Sequence, residues 1–476
     1  MKKLSKIILA GFVATLSVTS CQRDLASLNE DPKHPSVLPS ENLFATALFQ
    51  SSYYMDTPSV NVNNYRFFTQ QWAEVEYPDE SQYDLVTRNQ PRNYFNRIYV
   101  YVINNIRTAK ANLPSEIGNT DAVRINKLAS LEIEEIFAWE TLVDTYGNVP
   151  YSEAFKPDAT VTPKYDDAKT IYKDLIQRLN TAISTIQTTS RGYTKGDLIY
   201  YGNMSKWIKF ANSLKLRLAM NLADEDPTLS RSTAEQAIAA GVISSDADSY
   251  KFVYDGGTFL NPVYDNLVAS NRDDFTPSEL VINTMSVKND PRMEKWFTKV
   301  NGAYVGGVFG EKNLPYTNFS HLNDFFRSAT NASKLLSFTE VSFLKAEAAA
   351  RGYNVGDTAV NLYNAAVTAS LTENGVASAD IATYLAVNSY NAVDWKKSIG
   401  VEAWIALFNH GLSNWNITRR LDFPVFINPP KSVLSGVPVR MPYSDQEYVL
   451  NNANVSAAAT AIGGDKATTK LFWDKF

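Results

Sequence analysis

The strongest constraint on the fold of this chain is a helical repeat of apolar residues in its long segments. Within residues 124–146, apolar side chains return every three or four positions, which places them on one face of an α-helix. Gly147 and Pro150 follow this segment and are typical of a helix end. The same spacing predicts further helices at 165–186, 204–223, 334–351, 357–373 and 394–411. The sequence therefore predicts a mostly α fold.

Two of the predicted helices share the spacing Ala-x3-aromatic-x2-Ala. It occurs at 359–366 and, with Leu in the last place, at 168–175. The pattern is similar to the second helix of a tetratricopeptide repeat, where small residues let paired helices approach closely. Because the two copies lie far apart, they indicate a scaffold of helix pairs broken by long irregular insertions; chance recurrence is the alternative. Strand signals are few and short, the best being 199–201 and 251–254.

The first 20 residues have the pattern of a secretion signal, because lysines precede an apolar run at 7–18. That run is shorter than the roughly 20 residues that a membrane-spanning helix needs. Cys21, the only cysteine, comes next, and the segment resembles a bacterial lipoprotein signal, which is cut before a cysteine that then carries lipid. We expect removal of 1–20, lipid on Cys21, a tether at 21–40 and a single helical domain at 41–476. An ordinary signal peptide is the alternative.

Composition and charge argue against several classes of function. The net charge of −5 does not favour a nucleic-acid partner, which calls for a basic excess. One cysteine and three histidines allow no internal disulfide and offer little to a soft metal, so we expect no metal and no cofactor. Motifs for a serine-hydrolase elbow, a zinc protease or a phosphate loop do not occur, and we expect no catalytic residues. The acidic residues Glu74, Glu76, Asp79 and Glu80 keep a glycosidase acid pair as an alternative.

Two aromatic-rich insertions are the best candidates for binding a ligand. They lie near 61–99 and 301–326, and a long loop inside a compact body is usually functional or disordered. Their aromatic content argues against disorder. Aromatic rings could stack on a sugar or hold a peptide side chain while polar groups bond to its edges. The predicted ligand-binding residues are Trp72, Tyr77, Tyr83, Tyr304, Tyr316, Asn323 and Arg327. The alternative for each ring is a place in the core.

Several longer segments carry a resemblance to a known family. They include DTYGNVPYSEAF at 144–155, DLIYYGNMSKWIKFANSLKLRLAMNLA at 197–223 and NDPRMEKWF at 289–297. The series continues with EAWIALFNHGLSNWNITRRLDFPVF at 402–426. In order and content these segments resemble the SusD/RagB family of Bacteroidetes outer-membrane lipoproteins, from about residue 28 to the end.

The resemblance implies both a fold and a role. The fold is mostly helical, with tetratricopeptide-like helix pairs and a ligand-binding face built from insertions. The role is that of a surface lipoprotein, anchored in the outer membrane, which captures a nutrient and acts as a lid on a SusC-like TonB-dependent transporter. Family ligands include glycans and peptides. A surface glycosidase and a helical-repeat adhesin or scaffold are the rival functions.

The residues of the family signatures have a structural interpretation. Arg419 and Arg420 follow a long predicted helix, and a planar guanidinium can join a helix end to a neighbouring carboxylate or carbonyl. Tyr146, Gly147 and Pro150 are expected to form a turn. We therefore predict that these residues support the fold and do not contact the ligand.

Overall fold

The computed structural model of the protein describes residues 37–313 and 315–476. Cys21 and the predicted signal segment therefore lie outside the described residues, as does most of the predicted tether. Ser40–Phe476 forms one compact unit. None of the helices in the described part of the chain is both long and apolar enough to cross a membrane.

Helices dominate the described chain, as predicted. In the first half they are α1 (Ser40–Asp56), α2 (Tyr65–Phe68), α3 (Gln90–Arg97), α4 (Asn104–Asn112), α5 (Asp121–Tyr146), α6 (Ala168–Thr185), α7 (Met204–Asn221) and α8 (Pro227–Ala240). In the second half they are α9 (Pro262–Tyr264), α10 (Glu279–Val287), α11 (Arg292–Trp296), α12 (Phe338–Ala350), α13 (Ala359–Glu373), α14 (Ser378–Val387), α15 (Trp395–Ala406), α16 (Gly411–Leu421), α17 (Glu447–Leu450) and α18 (Asn452–Ala461). Ile98–Ile103 and Asp265–Ala269 are π-helical.

The described strands are short and pair two by two in antiparallel fashion. They are β1 (Trp72–Glu74), β2 (Val149–Pro150), β3 (Tyr165–Asp166), β4 (Tyr250–Phe252), β5 (Phe275–Pro277) and β6 (Ser333–Leu336). β1 pairs with β5, β2 with β3, and β4 with β6. The pair β1–β5 joins the first predicted insertion to residues about two hundred positions later, because Trp72 lies opposite Pro277.

The scaffold consists of consecutive helices that pack as pairs, namely α5 with α6, α7 with α8, α12 with α13, and α15 with α16. Side-chain caps fix where several of them begin. Thr120 accepts a hydrogen bond from the backbone of Val123, and Asp167 accepts one from Thr170. Such a cap satisfies one of the free N–H groups of a first helical turn. The paired helices meet through buried residues of the predicted spacing, including Tyr172 and Tyr363.

Two local predictions were wrong, each for a visible reason. Residues 199–201 form a turn instead of a strand, because the carboxylate of Asp197 accepts hydrogen bonds from the N–H groups of Ile199, Tyr200 and Gly202. The helix predicted over 334–351 begins only at Phe338, because the preceding residues pair with β4 as strand β6. A strand is present where one was predicted at 251–254, but it spans residues 250–252.

The signature residues support the fold, as predicted. The guanidinium of Arg419 donates to the carbonyl oxygens of Asp144 and Val439 at 2.9 and 2.8 Å. Arg420 donates to both carboxylate oxygens of Glu347, at 2.8 to 3.0 Å, and both side chains are buried. These contacts tie the end of α16 to α5 and α12. Gly147 ends α5 with a φ of +82°, a conformation that favours glycine.

Candidate functional site

Three loops of the described chain meet on one surface, which we call the loop face and define as residues 75–87, 305–327 (without 314) and 427–435. The side-chain amide of Gln82 donates to the carbonyl of Gly310 at 2.8 Å. The carbonyl of Gln82 in turn accepts from the N–H of Val433 at 2.9 Å. The backbone N–H of Asn313 donates to the carbonyl of Val75 at 2.7 Å. Segments more than 200 positions apart thus form a continuous surface beside the β1–β5 pair.

Gly310 makes the close contact between two of these loops possible. Its φ of +77° lies in the left-handed region, where side chains other than glycine are disfavoured. A Cβ atom added there would also lie 2.5 Å from the Cβ of Pro429. Glycine therefore allows 305–327 and 427–435 to pack together, and any larger residue would separate them.

Tyr316 and His321 form the most ordered aromatic feature of the loop face. Their rings stack with centroids 3.7 Å apart and an interplanar angle of 3°. The His321 Nε2 lies 3.1 Å from the carbonyl of Tyr316, which fixes the ring. Burial, together with the charge of Asp273, raises the pKa of Tyr316 to about 12, and nearby Arg327 partly offsets the rise. Tyr316 is thus a rigid neutral phenol near one cation, Arg327, and two anions, Asp273 and Asp274.

Arg327 has an incomplete set of partners. Its buried Nε has no hydrogen-bond partner, and the side chain makes no ion pair with the described residues. A guanidinium with free donors can bind hydroxyl, carbonyl or carboxylate oxygens. Phe325, two positions earlier, has 41% of its surface exposed. Arg327 is therefore a half-buried and incompletely hydrogen-bonded cation close in sequence to an exposed aromatic ring.

The other predicted residues of this region differ in their availability. Tyr77 is 54% exposed at the tip of its loop. Tyr304 is half-buried, and the Lys299 ammonium lies 5.1 Å from its ring centroid. The amide of Asn323 is engaged locally, because its Oδ1 accepts from the N–H of Phe325 at 3.0 Å. Tyr77 is thus the most accessible of the predicted rings.

Trp72 and Tyr83 require a correction, because the structure places both in the core. Trp72 is 1% exposed in β1, where its ring lies 5.5 Å from that of Phe275 and the Arg66 guanidinium lies 5.3 Å from its centroid. Tyr83 is fully buried, and its hydroxyl accepts from Gln70 at 2.8 Å. Neither ring reaches the surface, so neither can stack on a ligand in this conformation.

The acidic cluster is also largely structural. Glu74 and Glu80 are fully buried. Glu80 pairs with Arg88, and the Glu74 carboxylate lies 3.3 Å from a nitrogen of Arg272. Burial, and secondly the facing carboxylate of Glu80, raise the pKa of Glu74 well above its usual range. These two carboxyl groups are closed to solvent, whereas Tyr77, on the loop between them, is exposed.

Sequence reasoning missed two parts of the loop face. One is His321, which carries no signal of its own in the sequence. The other is the segment 427–435, where Ile427 and Val433 are 77% and 63% exposed. The available signal was an apolar segment around the Pro429-Pro430 pair, too rich in proline to form a helix. Among the residues that the structure describes, no group of three or more His, Cys, Asp or Glu side chains could hold a metal ion.

The helix pairs form a scaffold, and the long insertions form an aromatic surface. Together these two features define a class of helical binding proteins. Comparison with known proteins identifies the family within this class. The chain matches, over residues 32–444, the SusD-like family model described as "Starch-binding associating with outer membrane". Because this match spans most of the sequence, the chain belongs to the SusD-like family. The search of curated proteins gave no match.

Solved structures agree with this assignment. A chitin-binding protein is 26% identical, with a TM-score of 0.80, over 92% of this chain and 100% of its own. A SusD homologue from Bacteroides uniformis is 25% identical, with a TM-score of 0.78, over 91% of this chain and 99% of its own. A chitin-binding SusD homologue from Flavobacterium johnsoniae has the same fold at 24% identity, with a TM-score of 0.77, over 92% and 97% of the two chains. The predicted family and fold class are confirmed.

Proposed function

We propose that this chain is a glycan-binding protein of the outer membrane, that it holds an oligosaccharide on the loop face, and that it is not an enzyme. The observation that carries the proposal is the combination of exposed Tyr77, the rigid Tyr316–His321 stack and the half-buried, incompletely hydrogen-bonded side chain of Arg327 on the loop face. Aromatic faces cover the apolar side of a sugar ring, and a guanidinium donates to its hydroxyl and carbonyl oxygens. The chitin-binding relative at 26% identity supports a glycan over a peptide.

The proposal includes an anchor and a partner. Lipid on Cys21 would hold the protein at the cell surface, with 1–20 removed and 21–40 as the tether. The domain at 41–476 would then close over a SusC-like TonB-dependent transporter and deliver the oligosaccharide to it. Support comes from the family model, whose description names association with the outer membrane. Replacing Cys21 by Ala should release the protein from the membrane fraction. Retention of the variant with the membrane would contradict lipid anchoring at this residue.

Calorimetric titration tests the binding site. N-acetylglucosamine oligomers are the first ligand, maltooligosaccharides the second and a mixed peptide pool the third. Tyr316→Ala and Tyr77→Ala should each weaken binding of the active ligand about tenfold, which corresponds to a loss of roughly 1.4 kcal/mol. The loss follows because each change removes a ring that covers a sugar face. Melting temperature should stay within a few degrees, since neither ring is part of the core.

Tyr201→Ala is the matched control, because Tyr201 is 57% exposed but lies in the 198–202 turn outside the loop face. Equal affinities in all three variants and the parent would show that the glycan binds elsewhere. Binding of the peptide pool and of neither sugar would show that the ligand is a peptide and not a glycan. Release of shorter sugars from the oligomers would favour the surface glycosidase. Absence of binding to every ligand would favour the adhesin or scaffold.

A further inference from the structure

A cavity of about 280 Å³ lies beside the end of α16, among segments of the chain that do not belong to the loop face. Its walls are mainly apolar and include three aromatic rings and two prolines. They are formed by Phe68, Trp415, Pro424, Val425, Phe426, Val437, Pro438 and Val439. Such a concave, largely apolar space with a few polar groups is the usual form of a small-molecule site.

Two carboxylates lie on the wall of this cavity, Asp422 and Asp474. The Asp474 side chain is only 2% exposed, and Lys470 donates to its Oδ1 at 3.2 Å. Across residues 37–313 and 315–476, no donor contacts the other oxygen, Oδ2. Asp422 is held only by a distant ion pair, with its Oδ2 3.9 Å from Lys396 Nζ. Both carboxylates therefore have unused capacity to accept hydrogen bonds.

The neighbouring cations do not fill that capacity. Arg419 lines the cavity, where its guanidinium lies 3.7 Å from the ring centroid of Trp415, but it donates to the carbonyls of Asp144 and Val439 and to the side chain of Asn416, and to neither carboxylate. Lys470 has 46% of its side chain in solvent, where water screens its charge. The cavity thus has an apolar body and two carboxylates whose acceptor oxygens the neighbouring cations use only in part.

We propose that this cavity is a second binding site, which takes a small organic cation: a protonated primary amine on a compact apolar body. The ammonium group donates to Asp474 and Asp422, and the apolar body lies against the rings of Phe68, Trp415 and Phe426. A primary ammonium has three donors and no acceptor, which matches two carboxylates on the wall of one cavity with acceptor oxygens to spare. The site does not depend on glycan binding at the loop face.

The electrostatics of the two carboxylates agree with this ligand. Burial raises the pKa of Asp474 despite the charges of Lys470 and Arg419, and the charge of Asp422 adds to the rise. Burial likewise raises the pKa of Asp422 despite Lys396 and Lys470, with a smaller contribution from Asp224. Raised values mean that negative charge is poorly stabilised here, so an added cation is favourable. Affinity for the amine should accordingly decrease as acidification protonates the two groups.

Calorimetry with cyclohexylamine and cyclohexanol on the full chain tests the proposal. The two probes share one ring and differ in the amine, which is protonated at pH 7 as a lysine side chain is. Cyclohexylamine should bind at least tenfold more tightly than cyclohexanol. Asp474→Asn should weaken amine binding at least tenfold. Lys470→Gln should instead tighten it severalfold, because the change removes the cation that competes for Asp474.

Asp121→Asn is the control for a general loss of acidic charge, because the Asp121 side chain is 93% exposed at the start of α5. It should leave the affinity for cyclohexylamine unchanged. Equal binding of the two probes would overturn the proposal, as would an Asp121→Asn effect equal to that of Asp474→Asn. If Asp474→Asn lowers the melting temperature, the test rests on Lys470→Gln alone, because the Lys470 side chain is half-exposed. In that case, an affinity of Lys470→Gln for cyclohexylamine that does not exceed that of the parent overturns the proposal. Each of these results is independent of sugar binding.

Discussion

Arg420 and Arg327 have the same side chain and opposite surroundings. Arg420, in the scaffold, is buried, and its donors reach both oxygens of Glu347 and the amide oxygen of Asn221 at 2.6 Å. Arg327, on the loop face, keeps a buried Nε without any partner. A fully paired buried charge belongs to the fold, whereas an unpaired one retains capacity for a ligand. The distribution of satisfied and unsatisfied polar groups therefore separates the scaffold from the proposed binding surface.

The largest expected effect comes from breaking the Arg420 contacts. Arg420→Ala leaves buried Glu347 with Arg351 as its remaining counter-charge, which should lower the free energy of unfolding by about 3 kcal/mol. Arg327→Ala removes the same side chain from the loop face and should change stability by no more than about 0.5 kcal/mol. It should nevertheless weaken glycan binding. Urea unfolding and calorimetry measure the two effects, and equal stability losses in the two variants would refute the contrast.

The same contrast explains which features the sequence could predict. The helix at 124–146 was predictable because its period is local, and the structure has it at Asp121–Tyr146. The sequence did not distinguish buried Trp72 from exposed Tyr77, because aromatic residues that lie close together in a predicted loop occur both in cores and on surfaces. The decision depends on β1 pairing with β5, which places Trp72 opposite Pro277. That pairing joins residues far apart in the chain, and no local periodicity reports it.

The loop face was predictable only in part for the same reason. The insertions near 61–99 and 301–326 were identified from their aromatic content, but the third loop at 427–435 has only two prolines and exposed apolar residues. Its place is fixed by single long-range contacts, such as Val433 to Gln82. The stack of Tyr316 on His321 likewise depends on the backbone path between them. Amino-acid composition can indicate that a loop is a candidate for ligand binding. Tertiary contacts determine which of its side chains are placed to contact the ligand.

A smaller effect on stability depends on pH and comes from Glu74 and Glu80, the two buried acids on either side of Tyr77. Glu74 has a raised pKa in the folded protein, first from burial and then from Glu80, so it keeps its proton to a higher pH than in the unfolded chain. Its stabilising contribution is complete below the unfolded pKa near 4.5 and is lost as the pH rises toward the folded pKa. One such proton makes stability fall by at most about 1.4 kcal/mol per pH unit within that window.

Glu74→Gln should remove this slope, because the amide stays neutral and its oxygen can still accept from Arg272. Stability relative to the parent should then increase with pH above the unfolded pKa, as measured by urea unfolding across a pH series. Hydrogen exchange of residues 75–81 gives a local readout in the same series. Glu76→Gln removes the same charge from the same loop at a half-buried position and is the control. Parallel pH profiles for the parent and Glu74→Gln would show that the pair does not hold a proton.

The smallest expected effect comes from the exposed ion pair between two loops of the loop face. Lys431 Nζ lies 2.6 Å from Glu311, and the two side chains are 59% and 33% exposed. A double-mutant cycle of Lys431→Ala and Glu311→Ala should give a coupling energy of about 0.2–1 kcal/mol that diminishes with added salt. Gln82→Ala should cost more, because its amide bonds Gly310 across a partly buried contact and no other described side chain replaces it. A coupling above that range would mean that the ion pair, rather than the Gln82 hydrogen bonds, holds the loops together, and a coupling unchanged by salt would show that it is not electrostatic.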